Sequence, residues 1–400
     1  MIKRVFTYLF IALATVVSLG CWHSRMARRI DSALAVTGGQ LKGLAAEYYD
    51  SELFPRSWDP ATAKYKDFKY KDWTCGFFPG CLWIYYQLTG EEEYKTLAEH
   101  YTDKVKEIPH MSHTHDLGFM VMCSYGQQYK VEGDAVSREA IINAAHGLAS
   151  RYNPEIGLTR SWNFGRWHYP VIIDNMMNLE LLFKASELTG DDSFRQMAVS
   201  HADKTMANHF REDASSWHVV SYNDDGTVEM KTTHQGCSDD SRWSRGQAWG
   251  LYGYTMCYRF TKDPRYLEQA KKIADLMMTL PTMPKDLIPY WDYDAPKIPD
   301  EPRDASAAAI TASALLELQG MVDSKLAKKY TDYAEKIIRT LCSGEYLAPA
   351  GTNGWFLLKH STGAASLGSE IDVALNYADY YFLEAIQRYS ALKGLKHNTK

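Results

Sequence analysis

Two aspartates, Asp116 and Asp174, stand at the head of apolar stretches, Leu117-Gly118-Phe119-Met120 after the first and Met176-Met177 after the second. Two carboxylates brought together in a partly desolvated place cannot both ionise easily, so one keeps its proton near neutral pH and can donate it. The segment Ser238–Gly253, SDDSRWSRGQAWGLYG, sets Arg245 between Trp243 and Trp249. A guanidinium there can hold a carboxylate through paired hydrogen bonds, or be tied in a structural salt bridge to Asp239, Asp240 or Asp304. Trp73, Trp243, Trp249, Trp291 and Trp355, with many tyrosines, fall in loops or at helix starts where rings can stack on pyranose faces. Trp83 and Trp162 read as core. His218 and His234 precede the Trp/Arg stretch and read as donors to hydroxyls, with buried structural histidines as the alternative. His113-Thr114-His115-Asp116 is a poor metal motif: histidines two apart do not share a helix face, and no Cys/His/Glu set at ligand spacing accompanies them. No metal is expected. The residues alone point to acid/base carboxylates acting on a sugar.

Elements that would position these residues follow from hydrophobic period. Val171–Phe194 contains a run that is apolar nearly all round, from Met176 to Leu188, and such a helix is buried on most sides. Asp174 is expected to cap it. Leu188-Thr189-Gly190-Asp191 ends it, and Phe194, Met197, Ala198, His201, Ala202, Thr205 and Met206 mark an amphipathic partner. The same connection recurs at Leu88–Glu91 and Val131–Asp134, and more loosely at Phe260–Pro264 and Met321–Ser324. Helices near Ile30–Tyr48 and Asp372–Leu392 are left over. If they pair, six helical hairpins close into an all-α (α/α)6 barrel of six inner and six outer helices, which needs no capping repeats. Inner helices would start near Asp72-Trp73-Thr74, His115-Asp116, Asp174-Asn175, Trp243–Arg245, Arg303–Ser306 and Ser369–Asp372, all at one mouth. Strand signals are weak; Asn223-Asp224-Asp225-Gly226 is the one clear hairpin turn.

The chain has 400 residues, a net charge of -5 and no interior Lys/Arg block, so nucleic acid is not an expected partner. No linker-like stretch divides it. Lys3 and Arg4, an apolar run Val5–Leu19 and Gly20-Cys21 resemble an export leader. We therefore expect residues 1–21 to be a signal peptide of the lipoprotein type, with a lipid anchor on Cys21, and 22–400 to be a single barrel domain. Ser18 departs from the lipobox, and plain cleavage with release to the periplasm is the alternative. Cys75, Cys81, Cys123, Cys237, Cys257 and Cys342 read as free thiols that pack as small hydrophobes.

The motifs His115-Asp116-Leu117-Gly118-Phe119, Asp174-Asn175-Met176-Met177-Asn178-Leu179, Thr233-His234-Gln235-Gly236, Ser241–Trp249 and Arg303–Ala308 closely resemble the unsaturated glucuronyl hydrolases, glycoside hydrolase family 88. The resemblance spans nearly the whole chain after the leader and implies an (α/α)6 barrel. It implies removal of a 4,5-unsaturated uronic acid from the non-reducing end of lyase-generated glycosaminoglycan oligosaccharides, by hydration of the C4=C5 enol ether and without a cofactor. Asp174 then resembles the general acid/base and Asp116 the second essential carboxylate. Trp73, His115, His218, Gln235, Trp243, Arg245 and Trp249 resemble the residues that hold the unsaturated sugar, with Gln235 and Arg245 toward its carboxylate. Ser366 and Ser369 sit where the family reads the neighbouring sugar and any sulfate. No Lys or Arg follows between Ser366 and Tyr381, which argues against a strong sulfate preference, and Tyr377 stands where a tryptophan is expected. The alternatives are an unsaturated rhamnogalacturonyl hydrolase, with the same barrel and chemistry, and a non-catalytic glycan-binding lipoprotein.

Overall fold

A computed structural model describes residues 2–397, with side chains from Arg25 onward. Helix α1 (Ile2–Tyr48) leads into a hairpin of β1 (Leu53–Asp59) and β2 (Lys64–Lys69), followed by α2 (Phe77–Thr89) and α3 (Glu92–Asp103). Next come α4 (Leu117–Met122), α5 (Tyr125–Glu132) and α6 (Ala135–Ala149), then the short strands β3 (Tyr152–Asn153), β4 (Leu158–Thr159) and β5 (Tyr169–Ile172). Helices α7 (Asn175–Thr189) and α8 (Asp192–Asn208) precede β6 (Val219–Tyr222) and β7 (Val228–Thr232). The chain ends through α9 (Ser244–Thr261), α10 (Pro264–Thr279), α11 (Ala305–Leu318), α12 (Ser324–Leu341), β8 (Ala374–Leu375) and α13 (Asn376–Lys393).

Inner helices α2, α4–α5, α7, α9, α11 and α13 each pack on the next, and α13 packs back on α2, so the ring closes. All but α5, which is buried only near its start, are buried along most of their length, whereas α3, α6, α8, α10 and α12 bury one face and form the outer layer with α1. This is the (α/α)6 barrel. Connections work as expected: Gly190 ends α7 at φ 77°, a left-handed position that favours glycine, and Lys262 takes the same position after α9 at φ 59°. Residues 1–21, expected as a leader ending at Cys21, lie outside the described side chains. Among the described residues no helix is long and apolar enough to cross a membrane.

The structure departs from the expected elements in three places. The second inner helix breaks at Cys123-Ser124, where Ser124 Oγ donates to the Met120 carbonyl (2.7 Å). The last inner helix starts at Asn376 and not at Ser369–Asp372, because β8 occupies the intervening chain and pairs with β1. Two three-stranded antiparallel sheets flank the mouth, β2-β1-β8 and β5-β6-β7. The second contains the expected turn at Asn223–Gly226, with Gly226 at φ 77°. Cys75, Cys81, Cys123 and Cys257 are buried free thiols; Cys237 and Cys342 are also free but half-buried.

Candidate active site

Where the inner helices begin, a cavity of about 570 Å³ opens at the mouth of the barrel. Trp73 enters it from the chain before α2, His115 and Asp116 from the start of α4, Asp174 from the start of α7, Gln235 from the turn after β7 and Arg245 from the first turn of α9. Its opposite wall is the β2-β1-β8 sheet and the loop before β8, which contribute Arg56, Lys66, Ser369 and Glu370. The two aspartates share one opening.

Asp174 does not cap α7. Its backbone is already helical (φ -58°, ψ -28°), and its side chain makes no capping hydrogen bond. The carboxylate is aimed at the cavity, nearly buried, with Oδ2 unpartnered and 3.7 Å from His218 Nε2. Burial pushes its pKa up to about 7; the Asp116 charge pushes the same way, while Arg245 and the Trp249 indole N–H oppose it. Asp116 Oδ1 lies 3.2 Å from His115 Nε2, and its Oδ2 accepts from Thr114 Oγ1 at 3.2 Å. Asp174 is therefore the carboxyl that can hold a proton near neutral pH and release it into the cavity.

The tautomer of His218 is fixed by the turn after β7. Its Nδ1 accepts the backbone N–H groups of His234 and Gln235, both at 3.0 Å, so the ring proton sits on Nε2 and faces Asp174. Burial holds its pKa well below the ordinary imidazole value, so the ring is neutral. Arg245 takes the salt-bridge alternative. Its guanidinium bonds Asp304 (2.8 Å) and the carbonyls of Thr362 (2.5 Å) and Gly363, and it lies 4.6 Å from the Trp243 ring and 5.4 Å from that of Tyr377. Asp304 also caps α11 through the Ser306 N–H (3.0 Å), so one carboxylate fixes both elements.

Trp73, His115, Asp116, Asp174, Gln235, Arg245 and Ser369 thus line the cavity as expected. His218, Trp243 and Trp249 stand behind the wall instead: Trp243 packs on the His218 ring at 4.7 Å, and Trp249 is fully buried against Phe119. Ser366 is not on the wall; its hydroxyl donates to the His234 carbonyl at 3.1 Å. Trp291 and Trp355 are no part of the site, since the first donates to Glu301 (2.9 Å) and the second lies against Gly43 of α1. Trp162 is not core. It lines the cavity, stacks on Phe164 at 5.0 Å and faces His234 at 5.3 Å. Trp83 is core, donating to Thr102 at 3.0 Å.

Sequence reasoning missed Arg56 and Lys66. Arg56 grips Glu370 through two bonds (2.8 and 2.7 Å) and also reaches Asp72 (3.0 Å). Lys66 Nζ meets Ser369 Oγ at 3.0 Å and Glu370 at 3.4 Å. Cations do flank Ser369, but they come from the first hairpin and not from the chain that follows it. A second hollow, of about 620 Å³, shares only Phe119 with the mouth and opens on the other side of it. Its charges neutralise one another, Arg259 with Glu180 and Glu317, and Arg388 with Glu317 and Glu384. The mouth is the end with an unpaired proton donor.

The family model for Glycosyl Hydrolase Family 88 matches residues 53–394. An unsaturated glucuronyl hydrolase of Formosa agariphila is 46% identical over 339 residues, 84% of each chain. A crystal structure of an unsaturated glucuronyl hydrolase specific for heparin superposes with a TM-score of 0.88 at 46% identity, covering 92% of this chain and 100% of that one. A Streptococcus agalactiae unsaturated glucuronyl hydrolase mutant, solved in complex with dGlcA-GalNAc6S, superposes with a TM-score of 0.76 at 30% identity, covering 90% and 91%.

Proposed function

This chain belongs to glycosyl hydrolase family 88, and from that premise we propose that it releases a 4,5-unsaturated uronic acid from the non-reducing end of glycosaminoglycan oligosaccharides left by polysaccharide lyases. The observation that carries this reading is the buried, proton-holding carboxyl of Asp174, aimed into a cavity it shares with Asp116. A C4=C5 enol ether needs a proton donor of that kind. Asp174 gives its proton to C4, and the positive charge that develops at C5 and the ring oxygen is stabilised by Asp116 and by the faces of the aromatic wall. Water adds to C5 and returns a proton to the Asp174 carboxylate. The C5 hemiketal then opens at its ring bond, and C1, left as a hemiacetal, becomes an aldehyde as it expels the remaining glycan as an alcohol. One water is consumed and the anomeric carbon is never attacked, so the separation of the two carboxylates carries no retaining or inverting meaning.

His218, neutral and behind the wall, turns its N–H toward Asp174 at 3.7 Å and steadies the carboxylate left after proton transfer without competing for the proton. Gln235 stands on the cavity wall with its amide donating to the Gly363 carbonyl (3.1 Å), next to Arg245, and that corner takes the uronic carboxylate. The test is loss of the conjugated ultraviolet absorbance of unsaturated disaccharides from chondroitin, hyaluronan, heparin and pectin digests. Turnover of glycosaminoglycan disaccharides is expected. Turnover of the pectic substrate alone would move the chain to rhamnogalacturonyl chemistry, and no turnover would leave only a glycan-binding role.

Export as a lipoprotein is part of the same proposal, supported by Lys3-Arg4, the apolar run Val5–Leu19 and Gly20-Cys21. Metabolic labelling with a radioactive fatty acid should mark the chain, and Cys21→Ala should abolish the label.

A further inference from the structure

The chain as a whole is acidic, yet the flank formed by α1, α12 and the end of α13 is basic. A hollow there is lined by Arg25, Arg28, Arg29 and Arg339 against a single carboxylate, Glu335. A second hollow shares Arg339 and Glu335 with it and adds Lys328, Lys336 and Lys393, against only Asp332 besides. Their shared residues make the two hollows one continuous surface. Arg25, Arg28 and Arg29 are exposed, and the Arg29 guanidinium donates to the Arg339 backbone carbonyl at 3.0 Å, which fixes α1 against the end of α12. None of these residues lines the catalytic mouth. In a chain whose net charge is -5, such a concentration of cations marks a surface for a polyanion.

We propose that this flank docks on an anionic bilayer surface and contacts the phosphate groups of acidic phospholipids. What selects a membrane over another polyanion is where the chain leaves. Cys21 is four residues before Arg25, so even fully extended backbone keeps the two within roughly 14 Å. A lipid on Cys21 therefore holds the arginines close to the headgroup layer, near enough for screened charges to act. Acyl chain and basic surface are then two attachments on one face, which hold the barrel in one orientation on the membrane. The anchor rests on the leader reading above; the charged flank does not.

The experiment uses the full chain, without a lipid, in co-sedimentation with vesicles of phosphatidylcholine alone and of phosphatidylcholine with one-quarter phosphatidylglycerol. Comparing the two compositions removes whatever the apolar leader contributes to both. Partitioning should favour the acidic vesicles at least a hundredfold at 0.1 M salt and lose that preference at 0.5 M. Each cation removed should weaken it about fivefold, so R28Q/K336Q/K393Q should lose roughly a hundredfold, while turnover of an unsaturated disaccharide stays at the level of the parent chain. R25Q alone, which alters only one exposed arginine, should show the single fivefold step and guards against misfolding of the triple variant. Equal partitioning on the two vesicles, or an unchanged preference in both variants, overturns the proposal. Salt-sensitive binding to soluble heparin that the variants lose, without any preference for acidic vesicles, overturns it in favour of a polysaccharide-binding flank.

Discussion

Asp174 combines burial, a raised pKa and a free lone pair, and the combination is what separates it from a structural carboxylate. Asp379 is also buried and pushed up to about 8, but its oxygens accept the Leu357 and Leu358 N–H groups (both 2.9 Å), so it holds a loop, and it lines neither the mouth nor the second hollow. For Asp174 two consequences can be measured. The donor must be protonated, so kcat/KM should hold below pH 7 and fall about tenfold per unit above it, a limb absent if another group supplies the proton. The same pKa is a stability term. Below the ordinary value of 3.8 both folded and unfolded chains carry the proton; between there and about 7 only the unfolded chain releases it, so stability falls as pH rises and levels off above 7. The full loss is about 4 kcal/mol. Asp174→Asn should therefore lower kcat by roughly 10²- to 10⁴-fold, still bind the disaccharide, and raise the urea midpoint at pH 8 but not at pH 4. Equal midpoint shifts at both pH values would contradict the burial argument. Residue types made Asp116, Asp174 and Trp73 legible in the sequence because carboxylates and indoles stand out at apolar helix starts. Trp162 was not legible, since a tryptophan between Ser161 and Asn163 carries no sign of which way it faces. Arg56 and Lys66 look like a solvated face until β8 brings Glu370 to them.

At the scale of elements, the helices were readable because their apolar residues recur every three to four positions and their connections repeat. The sheets were not. β8 has two residues and β5 is buried on both faces, so neither shows the alternation that reveals a strand. Nor was the break between α4 and α5 visible, because it answers to neighbours distant in sequence: a Cβ on Gly80 of α2 would meet the Cys123 carbonyl at 2.4 Å. Close approach of backbones also sets the catalytic spacing. A Cβ on Gly118 would lie 2.4 Å from the Asn178 Cα, and Asn178 Oδ1 accepts the Phe119 N–H at 2.9 Å. That contact ties α4, which carries Asp116, to α7, which carries Asp174. Gly118→Ala forces the two helices apart at backbone that cannot swing aside. It should cost about 1–3 kcal/mol of stability and lower kcat/KM, because a carboxylate displaced by a fraction of an ångström no longer meets the same sugar. Unfolding by urea and steady-state kinetics on one preparation test both effects; an active enzyme with parental stability would mean the approach is looser than described.

Over the whole molecule, closure of the ring depends on the two ends of the chain, which sequence alone left as unpaired helices. They meet in a specific way. Helix α13 sits between α11 and α2, while α1 lies outside against α2 and the turn at Asn353–Trp355, so the expected hairpin of first and last helices is not a long side-by-side pair. The link is made at the terminus. His397, almost fully buried, bonds Asp31 of α1 through Nδ1 and Ser390 of α13 through Nε2, each at 2.7 Å. Serine, histidine and aspartate in that order suggest a nucleophile, but Ser390 is buried within a helix whose backbone N–H groups are already used, and it lines none of the hollows described above. The trio is a clasp. Since Asp31 is half exposed, its bond to His397 is weak, and the Ser390 bond together with packing supplies most of the effect. His397→Ala should lower stability by about 1–2 kcal/mol; in a chain this long the entropy of unfolding is large, so Tm should drop by only about 2 °C. The mouth is built from other elements, so kcat and KM at 25 °C should not change. A larger fall in Tm accompanied by lost turnover would show that the termini hold the mouth in shape as well as the ring.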